Sequence, residues 1–165
     1  MSSTASDYTR IVAALDQVEA SARDQRWDGE RPWRRATHVW VDYGVVLIDM
    51  HDLSAKVAKK AIQAVTSVAR EVGLEAHAVV FVTGRGRHSA GGPVLRELTV
   101  RRLQAMAEDE DRWMVQVSGA GRVTLITDPD RAPPSVTRPA RSGLFIMLLV
   151  VGLGIWVCLG MPGVG

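Results

Sequence analysis

Cysteine is almost missing from this chain of 165 residues: Cys158 is the only one, which excludes an intramolecular disulfide and a cysteine-rich metal site. A reducing compartment fits that usage. The opening stretch MSSTASDYTR has no apolar core behind a basic flank, so no secretory signal is expected. Charge of one sign is also in short supply. The formal net charge is only +2, so a nucleic-acid surface would have to come from local clustering of arginines and lysines. No internal repeat is visible, and the length suits one compact domain with appendages.

Charged residues are lacking altogether from Ser142 to Gly165, and GLFIMLLVVGLGIWVCLG (143–160) is almost wholly apolar. As a helix this stretch would be about 27 Å long, close to the thickness of a bilayer hydrocarbon core. A buried core helix or an oligomer contact is the other reading, but no polar face is left for a solvated side. The expectation is a single C-terminal transmembrane helix over 143–161. Arg131, Arg138 and Arg141 precede it, so the folded part is expected in the cytoplasm.

Before that segment the hydrophobic periodicity alternates between helix and strand. Ile11, Leu15, Val18 and Ala22 predict an amphipathic helix over 7–23. RWDGERPWRRATHVW (26–40) interleaves Trp27, Trp33 and Trp40 with Arg26, Arg31, Arg34 and Arg35. Such a mixture can stack on bases and neutralise phosphates. It can equally be arginine stems packed over tryptophan. VVLIDMH (45–51) reads as a buried strand, followed by a helix that Ser54 caps and Gly73 ends, with Val57, Ala61, Val65, Val68 and Val72 along one face. AHAVVFV (76–82) reads as a second strand, and Pro93 opens a second helix through PVLRELTVRRLQAMA. EDED (108–111) is a solvated turn, RWMVQVSGAGRVTLITD (112–128) a hairpin, and PDRAPPSVTRPARS (129–142) a proline-rich basic linker, read as extended.

Two chemically useful segments fall at the ends of the two strands. A strand-helix-strand unit makes them parallel, so Asp49 and His51 lie at the same sheet edge as VTGRGRHSAGG (82–92). Ligands of open α/β sheets collect at that edge. Gly84 and Gly86 let backbone N–H groups approach an anion, and Arg85 and Arg87 can hold phosphate oxygens in bidentate fashion. The loop lacks the Gly-Lys-Ser/Thr ending of a Walker phosphate loop and follows the second strand, so it is not a dinucleotide fingerprint either. In a hydrolytic site, His51 would take a proton from water or a 2′-hydroxyl, with Asp49 orienting its ring or holding a metal. In the plainer alternative Asp49 caps the following turn and His51 is a partly buried structural histidine.

LIDMHDLSAKVAKKAI resembles the opening motif of the Smr (small MutS-related) domain, a Leu-Asp-x-His-Gly strand end followed by a capped helix. VTGRGRHSAGGPVLREL resembles the second motif of the family in its His-Ser form, and GAGRVTLIT is similar to its closing hairpin. The resemblance runs over 45–128. It implies a two-layer α/β sandwich with β-α-β-α-β-β order and helices on one face, similar to the C-terminal domain of translation initiation factor three. It also implies binding of DNA or RNA and, in several members, endonuclease activity. The functional Asp and His of the family fall on Asp49 and His51, and its glycine loop on Gly84 and Gly86. Asp52 stands where the family has glycine, and Thr83 where many members carry a second histidine, for which His88 is a substitute.

The expected organisation is therefore an N-terminal helix and Trp/Arg-rich arm (1–44), an Smr-like domain (45–128), a linker (129–142) and the membrane helix (143–161). Expected catalytic residues are Asp49, His51 and His88, with Thr83, Gly84, Arg85, Gly86, Arg87 and Ser89 on the nucleic acid. No metal ligands are assigned, and a divalent metal is left open as a cofactor. The partners expected are DNA or RNA and the membrane, with a protein partner through 26–40 as an alternative. Removing 142–165 is expected to move the protein from the membrane fraction to the soluble fraction. A full-length chain that already fractionates as soluble contradicts the anchor.

Overall fold

A computed structural model of the chain describes residues 3–24, 32–84, 94–119 and 121–134. The expected membrane helix lies outside them, and no helix among the described residues is long and apolar enough to cross a membrane. The elements in chain order are α1 (Ser3–Ala14), α2 (Asp16–Arg23), α3 (Arg35–His38), β1 (Val39–Asp42), β2 (Val45–Asp49), α4 (Ala55–Glu71), β3 (Ala78–Val82), α5 (Val94–Ala107), β4 (Met114–Ser118) and β5 (Arg122–Ile126). The strands form one mixed sheet in the order β1-β2-β3-β5-β4, in which β2 and β3 are parallel and the other neighbours antiparallel.

The β-α-β-α-β-β order is present, with an additional edge strand in front of it. β1 and β2 are joined by Tyr43 and Gly44 alone, and both have positive φ, 50° and 80°. That geometry suits the right-handed twist of a two-residue hairpin. Glycine adopts it without strain, whereas Tyr43 does so at some cost and leaves its ring exposed.

The helix expected over 7–23 is divided into α1 and α2 at Leu15, where ψ relaxes to 4°. Backbone hydrogen bonds continue through the break, from Leu15 N–H to Ile11 O and from Glu19 N–H to Leu15 O, both at 3.0 Å. The apolar stripe therefore survives, and Ile11, Leu15, Val18 and Ala22 are all buried. α4 begins where Ser54 Oγ accepts the Val57 N–H at 3.4 Å, and it gives way to Gly73 at φ +79°. Its buried face runs through Val57, Ala58, Ala61, Ile62, Val65 and Ala69, while Val72, expected on that face, is the C-cap residue and is 59 % exposed.

Alternation along the strands divides the core in two. Val46, Ile48, Val79, Phe81, Val123 and Leu125 pack with the helices, in the same cluster as Ile11, Leu15, Val18, Trp33 and Val39 from the first 44 residues. Val45, Leu47, Ala78, Val80 and Ile126 turn to the opposite face, where no described helix contributes and Trp40 and Ala132 pack against them. The start of the expected linker differs from an extended chain: Arg131 and Ala132 N–H groups both return to Asp128 O, a turn that Arg112 clamps through Asp128 and Asp130.

Polar contacts tie the N-terminal helices to this core. Arg35 pairs with Asp16 at 2.8 Å and Glu19 at 2.7 Å and donates to Val12 O at 2.9 Å. The Arg35 hydrogen bond holds the Glu19 carboxyl below its ordinary range, against the upward pull of burial and with help from Arg23. That contribution is present above the ordinary glutamate pKa and lost as pH falls through the depressed one. Asp7, only 1 % exposed, accepts the backbone N–H groups of Glu75 at 2.9 Å and Ala76 at 2.8 Å, which fixes α1 to the connection into β3. Asp7→Ala strands these donors and should lower unfolding stability by about 2 kcal/mol in denaturant titration. An unchanged midpoint would remove Asp7 from the account.

Candidate functional site

The parallel register sets Asp49 level with Val82, and Met50 N–H donates across to Val82 O at 2.8 Å. Both strands stop there. On the first, the chain turns through Met50, His51 and Asp52 into the Ser54 cap of α4. On the second, Thr83 N–H and the Thr83 hydroxyl both donate to Gly121 O, at 2.8 and 3.0 Å, so the β4–β5 hairpin anchors the beginning of the glycine loop. Thr83 is 6 % exposed and its hydroxyl proton is already used. This gives Thr83 an anchoring part that its expected place on the nucleic acid did not include.

Gly84 follows with φ +71°, and a Cβ there would sit 3.4 Å from the Cβ of His51. The left-handed backbone is what requires glycine at this point. The two sequence motifs thus meet at the edge between β2 and β3, as their order implied. Arg85, Gly86, Arg87, His88 and Ser89 lie outside the described residues.

Asp49 performs both of the roles that its position in the sequence left open. Its Oδ1 accepts the His51 backbone N–H at 3.1 Å, which caps the turn, and the same oxygen meets the His51 ring at Nδ1. Its backbone carbonyl accepts the Trp33 indole N–H at 2.6 Å. Trp33 is fully buried, so of the two readings of the Trp/Arg segment, packing applies to this residue and base stacking does not.

The other ring nitrogen of His51 also faces a carboxylate. Nε2 lies 3.2 Å from Asp52 Oδ1, and Asp52 Oδ2 lies 3.4 Å from Nε2 of His38 at the end of α3. His38 stands with its ring centroid 5.6 Å from that of Trp33 and 6.4 Å from that of His51. Nothing in the local pattern singles out His38. It sits in a Trp/Arg-rich run, and only the β1–β2 hairpin brings it back beside the end of β2. A histidine just ahead of a cryptic edge strand was the available signal.

Carboxylates at both nitrogens favour the imidazolium form. Burial pulls the His51 pKa down, but the hydrogen bond and charge of Asp49, with the charge of Asp52 added, outweigh it and the net direction is upward. This arrangement favours the cationic form of His51, which can hold an anion or give up a proton. To work as a base it must lose its proton and part from Asp52. Among the described residues no cluster of three or more His, Cys, Asp or Glu side chains is arranged to hold a metal ion.

In an NMR titration the His51 imidazole should therefore lose its proton above the ordinary histidine range, and Asp49→Asn and Asp52→Asn should each bring the midpoint down. The accompanying stability is complete below the ordinary histidine pKa and disappears as pH rises through the raised one. A midpoint below the ordinary range contradicts the geometry. Comparison with protein-family models, with curated proteins and with solved structures finds no match to this chain.

Proposed function

We propose that this chain is an Smr-like nucleic-acid-binding protein with a phosphodiester site at the β2–β3 edge, tethered to the cytoplasmic face of a membrane by residues 143–161. One observation carries the reading: the Asp49–His51 pair stands at the carboxyl ends of two parallel strands, directly against Gly84. A cationic imidazole beside a glycine turn, continuing into a loop with Arg85 and Arg87, is suited to phosphate oxygens. The layering supports the same reading, because the described helices pack on one face of a sheet that contains the β-α-β-α-β-β order.

As an endonuclease the site would use neutral His51. Nε2 would take the proton of water or of a 2′-hydroxyl while Asp49 keeps the ring oriented through Nδ1, and the arginines and His88 would hold the phosphate. Asp52 favours a second reading, a module that binds nucleic acid or ribonucleoprotein without cutting it, since its carboxylate already occupies Nε2. A protein adaptor acting through 26–40 would have to rest on residues other than Trp33, whose side chain is buried.

Incubating the full-length protein in detergent with labelled RNA and DNA, with and without chelator, separates these readings. The nuclease predicts products that His51→Ala reduces about 100-fold, the usual size of a general base contribution. The binding module predicts no product but salt-sensitive complexes that Arg85→Ala and Arg87→Ala weaken. A protein that neither binds nor cuts either nucleic acid overturns both.

A further inference from the structure

His38, Asp52 and His51 form an arrangement that the Asp49–His51 pair alone does not require. A single carboxylate spans two imidazole Nε2 atoms, one oxygen to each, at 3.2 and 3.4 Å. The two rings come from different elements, His38 from the end of α3 and His51 from the turn after β2. His51 is half exposed, whereas the side chains of Asp52 and His38 are 27 % and 12 % exposed, so the bridge lies just beneath the open edge.

We infer that the gap between His38 and His51 is a phosphate subsite, which Asp52 fills in the free protein. The inference rests on the phosphodiester reading of the β2–β3 edge and specifies where on that edge the anion sits. Two non-bridging phosphate oxygens are disposed much like the two oxygens of a carboxylate, which is why the same donor pairs serve both groups. A phosphate entering here would take the two Nε2 donors from Asp52. With one negative charge exchanged for another, the imidazoles would lose no counter-charge.

The Nδ1 side of the His38 ring is held by its own element. The Arg34 backbone N–H lies 3.1 Å from Nδ1 and the Arg34 carbonyl oxygen 3.0 Å from it. The first suits a ring protonated at Nε2, and the second a ring protonated at Nδ1. In the first arrangement Nε2 carries a hydrogen directed at the gap. Thr37 Oγ1, 2.8 Å from Nδ1, adapts to either. The position of the ring is set by Trp33 on one side and by the short α3 helix that carries it.

Among the described residues, the charged and titratable groups that face this subsite are Asp49 from β2, Asp52 from the following turn, His51 itself and His38 from α3. Binding should therefore weaken as pH rises through the His51 titration, because one of the two donors is then without its extra proton.

The test uses the full-length protein in detergent with inorganic phosphate as the probe, followed by a short single-stranded RNA. In the wild type, phosphate should move the His38 and His51 ring resonances together, along one saturation curve. Asp52→Asn removes the competing charge while keeping the shape, and should tighten phosphate binding about tenfold, the value of one charge-assisted hydrogen bond. His38→Ala should loosen it by a similar factor, and His38→Gln, which keeps a donor, should recover part of the loss. A His51 resonance that responds while His38 does not, or an Asp52→Asn protein that binds phosphate no better than wild type, overturns the subsite. The wild-type resonances decide the matter even if a variant fails to fold. RNA binding that depends on Arg85 and Arg87 with His38 unmoved would sink the subsite and leave the proposed function standing. Phosphate bridging both rings in a protein that binds neither RNA nor DNA would do the reverse.

Discussion

The parallel pairing of β2 with β3 is the constraint on which the site depends. It fixes Asp49 beside Val82, and from that register the turn carrying His51 and the turn carrying Gly84 have to emerge side by side. A shift of one residue would send the alternating core positions to the wrong faces of the sheet and would separate the two turns. The helix α4, which the parallel crossover requires, packs its buried face on the strands it connects and so holds the register that positions the chemistry.

Around that edge, stability and chemistry use the same groups. Trp33 fills the core and at the same time holds the Asp49 carbonyl, so the strand end cannot fray without uncovering a buried indole. Asp49 caps the turn with the oxygen that also orients the His51 ring. Asp52 then adds a second negative partner to that ring. The result favours a cationic imidazole, which is well suited to attracting an anion and poorly suited to accepting a proton until Asp52 moves away. Of the two proposed readings, phosphate binding is thus nearer to this geometry than catalysis is.

Much of this was legible from local pattern. Ser54 and Gly73 mark the ends of α4 because capping and left-handed termination depend on neighbouring residues only. The apolar runs at 45–51 and 76–82 read as strands for the same reason, with β2 and β3 forming within them, and the meeting of Asp49 and His51 with Gly84 follows from the handedness and parallel pairing of such units. What was hidden depends on tertiary contacts. β1 has no strong turn signal, since Tyr43-Gly44 lacks the Asn or Asp that usually announces a tight hairpin. Without β1, nothing brings His38 back to the edge, and Trp33 among its arginines looks like a surface residue. Asp52 was visible as a departure from the family pattern, but its bridge between two histidines exists only once the hairpin has folded.

In the proposed function the β2–β3 edge holds a phosphate of a nucleic acid against His51. A structure of the full-length protein with a short 2′-O-methyl RNA, which presents phosphates but cannot be cut through a 2′-hydroxyl, tests it most directly. The expected result is a backbone phosphate within hydrogen-bonding distance of His51 Nε2, beside Gly84, with the Asp52 carboxylate displaced from that nitrogen. An RNA bound on another surface, with Asp52 still against His51, would contradict it.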